Sequence, residues 1–152
     1  MRTTETDRAG SMPPARKVLC GVYALIALLA LVATWSQTVN YIHSGAAFFG
    51  TFWQDTRVNA ASRNVAADAL MLSMSVVIFM VIEARKHQIR FVWLYVIGGV
   101  FIAISVTVPL FLLAREIRIG GAERPHLRPL DVIFLIVSSA GALTLTAWVD
   151  AG

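Results

Sequence analysis

Charge is scarce in this 152-residue chain, where Asp, Glu, Lys and Arg together make up 14% of the residues. Soluble domains carry about 25%, so most of this surface is not built to face water. Cysteine is scarcer still. Cys20 is the only one, which excludes an intrachain disulfide framework or a thiolate metal site. The three histidines, His43, His87 and His126, lack the H-x-x-H or E-x-x-H spacing of a metal site. Nucleophile-elbow, phosphate-loop and dinucleotide motifs are missing as well. No metal and no cofactor is implied, and no internal repeat or low-complexity segment stands out.

What the chain has is apolar length. Hydrophobic residues make up 57% of it, and the mean hydropathy is +0.69. Uncharged runs cover Val18 to Trp35 (18 residues), Ala69 to Ile82 (14), Phe91 to Ala114 (24) and Val132 to Val149 (18). Crossing about 30 Å of hydrocarbon takes roughly 20 helical residues. The 14-residue run is too short alone, so its helix is expected to begin near Asn64 or earlier, taking in Asp68. The expected fold class is all-α: an integral membrane bundle of four transmembrane helices over about 18–37, 64–83, 91–114 and 130–149. A disordered tail, 1–17, precedes it, and Met12 competes with Met1 as the true start. Between the first two spans lies an aromatic-rich interfacial segment holding Tyr41, Phe48, Phe49, Phe52 and Trp53. A short helix at headgroup depth and packing between helices are equal accounts of it.

Net charge is +4. The basic residues flank the apolar runs, which suits lipid phosphates and topology and gives no nucleic-acid footprint. With four crossings, Arg2, Arg8, Arg16, Lys17, Arg85, Lys86 and Arg90 fall on the side of the N-terminus. Arg57, Arg63, Arg115, Arg118, Arg124 and Arg128 fall on the other. Seven against six is a weak bias. The Arg16-Lys17 pair before the first span tips it toward a multi-pass cell-membrane protein with both termini cytoplasmic. Gly98-Gly99 allows close approach of a neighbouring backbone, Pro109 is placed to kink its helix, and Ser138 to Ala142 form a small-residue patch.

Three stretches carry a resemblance: FWQDTRVNAASRNVAADAL, FMVIEARK and VPLFLLARE. They hold an aspartate opening a helix (Asp68), a Glu83–Arg85 pair closing it, and Pro109-Leu110-Phe111 ending at Arg115. Over about residues 20–118 the chain resembles a bacterial membrane-protein family known as domain of unknown function 2834. The resemblance implies a membrane location and no activity.

Asp68 is the first candidate for chemistry. A carboxylate in hydrocarbon costs about 2.5–3.5 kcal/mol and pairs, protonates or marks function. Leu72, Ser75 and Phe79 share its helix face by periodicity. The plainer reading is a first-turn acid satisfied by backbone N–H groups, Arg63 or Arg57. Glu83, about 22 Å further along the helix, cannot form a dyad with Asp68. It reads as a surface anchor beside Arg85-Lys86. Phe52, Trp53 and Phe79, with other aromatics, are candidates for an apolar pocket wall or simply for belts and packing. Two main functions follow. One is a non-catalytic subunit, assembly or lipid-binding module, with a membrane-protein partner or homo-oligomer. The alternative is a membrane enzyme on an apolar isoprenoid, terpene cyclase-like and acid-initiated by Asp68. A small ion-coupled transporter is a third.

Overall fold

Helices form wherever the apolar runs predict them, and local capping sets their ends. The computed structural model describes residues 13–119 and 129–151; the expected tail over 1–12 and the 120–128 connection lie outside the described residues. Helix α1 is Pro14–Thr38. Pro14 takes the first helical position, where a missing N–H costs nothing, and the Pro13 carbonyl accepts from Arg16 N (3.0 Å) and Lys17 N (3.2 Å). Residues 14–17, expected in the tail, are therefore helical.

A 3-10 segment, Val39–Ala47, follows and breaks at Gly45, whose φ of 53° is open to glycine. It leads into α2, Phe48–Asp55. The break turns the chain back on itself. Tyr41 packs edge-on against Phe52 (5.6 Å) and its hydroxyl donates to Asp55 (2.9 Å). Phe52 also stacks on Phe48 (6.3 Å) and meets Trp53 edge-on (5.9 Å).

Helix α3 is Ala60–Lys86. A reciprocal cap starts it: Asn59 Oδ1 accepts from Ser62 N (2.8 Å), and Ser62 Oγ accepts from Asn59 N (3.1 Å). The cap sets the start at Ala60, ahead of Asn64, and Asp68 falls in the third turn. At the other end Ile89 N donates to the Ala84 carbonyl (2.9 Å) across Gln88, which is left-handed at φ 53°. This is the six-to-one bond of a Schellman cap, with glutamine where glycine is usual.

The described chain is all-helical, and among its residues four stretches are long and apolar enough to cross a membrane: 14–55, 60–86, 92–119 and 129–150. The third stretch comprises α4 (Val92–Gly98), a π-helical segment (Gly99–Ala103) and α5 (Ile104–Ile119). It is not a straight rod. The Tyr95 and Phe111 rings lie 5.7 Å apart, whereas sixteen residues of straight helix would separate them by about 24 Å. A Cβ on Gly98 would meet Thr107 Cγ2 at 3.2 Å, and one on Gly99 would meet Thr107 Oγ1 at 3.1 Å. The chain thus reverses between Gly99 and Thr107 and forms a helical hairpin. The close neighbour that Gly98-Gly99 admits is the returning half of the same stretch.

Helix α6, Pro129–Asp150, again starts on proline and carries Asp131 in its first turn, where the dipole favours an acid. None of its residues is buried. The Ser138, Thr144 and Thr146 hydroxyls donate to carbonyls four residues back, leaving an apolar exterior suited to lipid.

The described residues divide into two compact units: 13–28 with 79–119, and 29–78 with 129–151. All the buried residues among those described belong to the first: Arg16, Ala27, Met80, Ala84, Val92, Val106, Thr107, Pro109, Phe111 and Glu116. Its apolar core draws on Ala27 of α1, Met80 and Ala84 of α3 and Val92, Val106 and Phe111 of the hairpin, and Phe111 is fully enclosed.

Candidate functional site

Charge gathers at one end of the first unit, where the start of α1 meets the ends of α3 and α5. Arg115 Nε donates to Glu83 Oε2 (2.5 Å), and its Nη1 donates to Glu116 Oε1 (2.9 Å). Glu116 also faces Arg16 Nη1 at 3.6 Å. His87, one turn after Glu83, places Nε2 3.2 Å from Glu83 Oε2. Two arginines and two glutamates thus neutralise one another. The Arg16–Glu116 pair is almost fully enclosed, with side chains 3% and 8% exposed. Enclosed charges are tolerated only when paired in this way.

Beside this network, and in the same unit, three other arginines behave differently. Arg85, Arg90 and Arg118 are exposed and make no ion pair or side-chain hydrogen bond among the described residues. They line one open cavity of about 750 Å³, with Gln88, Trp93, Leu94 and Ile97 on its wall. A second hollow of about 410 Å³ shares Gln88, Arg90 and Arg118. The reversal of the hairpin creates this mouth, because it returns Arg118 to the level of Arg90. Guanidinium forks match phosphate oxygens in pairs. The exposed Trp93, Leu94 and Ile97 add an apolar flank below the charge. The arrangement fits a group that is anionic at one end and apolar at the other.

The sequence candidates are placed as follows. Asp68 is exposed on α3 and forms no hydrogen bond or ion pair among the described residues. Arg63, a proposed partner for it, donates instead to the Arg57 carbonyl (3.1 Å). The Ser75 hydroxyl donates to the Met71 carbonyl (3.1 Å). Phe52 and Trp53 belong to the aromatic cluster on α2. Phe79 is 45% exposed. Glu83 pairs with Arg115 and His87 rather than with Arg85 or Lys86. Sequence reasoning missed Arg16 and Glu116 as network members and Arg118 as a neighbour of Arg90. The available signal was three charges, Arg115, Glu116 and Arg118, closing an uncharged run in a charge-poor chain. Among the described residues no three His, Cys, Asp or Glu side chains gather as for a metal ion.

Neither a curated protein nor a solved structure matches this chain. Residues 22–117 match the family described as protein of unknown function DUF2834, a span that takes in the aromatic cluster, Asp68, Glu83 and the hairpin through Arg115. By that match, over more than half of its length, the chain belongs to the DUF2834 family.

Proposed function

We propose that this protein is a non-catalytic, multi-pass membrane protein that binds an anionic lipid. The observation carrying this reading is the cavity edged by Arg85, Arg90 and Arg118, three exposed arginines without a partner among the described residues, above Trp93, Leu94 and Ile97. A lipid phosphate answers the charge and its acyl chains cover the apolar flank. Basic pockets between membrane helices bind phosphorylated and cardiolipin-type headgroups in this way. The neighbouring Arg16–Glu116–Arg115–Glu83 network holds the mouth in shape without competing for the ligand, because its own charges balance.

Native mass spectrometry of the purified chain with phosphatidylglycerol or cardiolipin, against phosphatidylcholine and free inorganic phosphate, tests the reading. The anionic lipids are expected to remain bound at energies that strip phosphatidylcholine. Replacing all three arginines with glutamine should lower that retention by tenfold or more. Equal retention of both lipid classes, or an unchanged triple variant, refutes it. Retention of free phosphate alone would reassign the site to a soluble anion.

A second reading rests on Asp68, an unpaired acid on an apolar helix. Such a group serves as a proton donor toward an apolar isoprenoid substrate. Asp68→Asn is expected to abolish conversion of a prenyl substrate while the protein still inserts. A variant with full activity removes Asp68 from that chemistry.

A further inference from the structure

The first unit carries a statement about membrane topology that apolar length cannot. We propose that the stretch 92–119 is re-entrant: it enters and leaves the membrane on the side of the N-terminus. The chain then crosses three times, through α1, α3 and α6, and its two termini lie on opposite sides, the N-terminal side being cytoplasmic.

The ion network fixes the near side. Arg16 starts α1, Glu83 ends α3, and Arg115-Glu116 end α5, yet all four charges are joined. A straight third span would carry Arg115 roughly 35 Å from Val92, to the membrane face opposite Glu83. The paired rings of Tyr95 and Phe111 and the contact of Gly98 with Thr107 require the same reversal independently. From Arg115 back to Ile104 the helix covers roughly 16 Å, about half the hydrocarbon thickness. The tip is dressed for that depth, with Val100 70% and Phe101 65% exposed. Irregular backbone is tolerated at membrane depth where it is packed against protein, and Thr107 supplies that packing.

The far side follows from helix ends. Helices α1 and α3, of 25 and 27 residues, each exceed the roughly 20 needed to cross. The ends of α1 and α3 remote from the network therefore emerge opposite it. Near the C-terminus of α6, Asp150 accepts a hydrogen bond at 3.4 Å from Gln37, which is one residue from the end of α1. Helix α6, at 22 residues, is long enough by the same rule for the one remaining crossing.

The charge count responds sharply. Four crossings divide the thirteen Lys and Arg residues seven to six, but three crossings divide them eleven to two, leaving only Arg57 and Arg63 opposite. A near tie becomes a strong positive-inside pattern. The count was not used to derive the hairpin, so it supports the topology separately.

Single cysteines in a Cys20→Ser background, labelled by a membrane-impermeant maleimide in sealed vesicles of both orientations, test the proposal. Lys17→Cys and Arg118→Cys are expected to label from the cytoplasmic face, and Arg57→Cys and Ala151→Cys from the opposite face. A C-terminal reporter fusion, which leaves the membrane helices unaltered, should report an external C-terminus. Labelling of Arg118→Cys with Arg57→Cys, or a C-terminal reporter on the same side as Lys17→Cys, would restore four crossings and overturn the proposal. Labelling of Lys17→Cys from outside would overturn the orientation. Lipid retention plays no part in these readouts, so the topology and the lipid site fail separately.

Discussion

Arg115 and Glu83 stand thirty-two residues apart in sequence and share a hydrogen bond between Nε and Oε2. Each closes an apolar helix, and their meeting ties the end of α5 to the end of α3. With Glu116 and Arg16 they form an alternating row of charges, in which Arg16 and Glu116 are the most shielded from water.

Removing one member leaves its partner's charge poorly compensated, while removing both does not. Glu116→Gln, in the most enclosed pair, is expected to destabilise the protein by about 3 kcal/mol. Glu83→Gln and Arg115→Gln, in the more open pair, should cost less singly, and the double variant should cost less than their sum. Thermal unfolding in detergent, followed by size-exclusion of the surviving fraction, measures each. Additive losses would show that the two side chains act independently.

The hairpin makes position 98 sensitive to position 107. A methyl at Gly98 approaches Thr107 Cγ2 at 3.2 Å, so Gly98→Ala should destabilise by about 1 kcal/mol through overpacking. Thr107→Ser removes that Cγ2 and is expected to restore most of the loss. The same unfolding assay decides it; lack of coupling between the two sites would contradict the reversal.

Gln88 occupies a left-handed conformation at the α3 cap. For a residue with a Cβ this costs roughly 1–2 kcal/mol. Gln88→Asn is expected to leave stability unchanged or raise it slightly, whereas Gln88→Val should lower it by about 1 kcal/mol or more. The readout is the melting temperature, lowered by Gln88→Val and not by Gln88→Asn.

Much of the helical layout was legible because hydrocarbon thickness is a hard length rule. Ala69 to Ile82 could not span alone, so α3 had to start before Asp68, and the Asn59–Ser62 cap places that start at Ala60. Phe48 to Trp53, which the sequence leaves open between a short interfacial helix and packing between helices, form most of α2. The reversal in 92–119 was not legible. An uncharged run has the same composition whether it goes straight or doubles back, and Gly98-Gly99 announces a close neighbour without naming it. That one ambiguity hid the charged site. A straight span puts Glu83 and Arg115 on opposite membrane faces, so the sequence alone shows Glu83 only as a surface anchor beside Arg85-Lys86. Arg118 was likewise separated from Arg90, and their shared cavity could not be foreseen.

Helix α6 encloses no side chain, and its hydroxyls are already satisfied within its own backbone. Among the described residues the enclosed ones run from Arg16 to Glu116, nearly the stretch that the family match covers. During synthesis the compact part can therefore be finished before the last helix leaves the ribosome. Helix α6, whose uncharged run of 18 residues needs no enclosed partner, then partitions into lipid on its own apolarity.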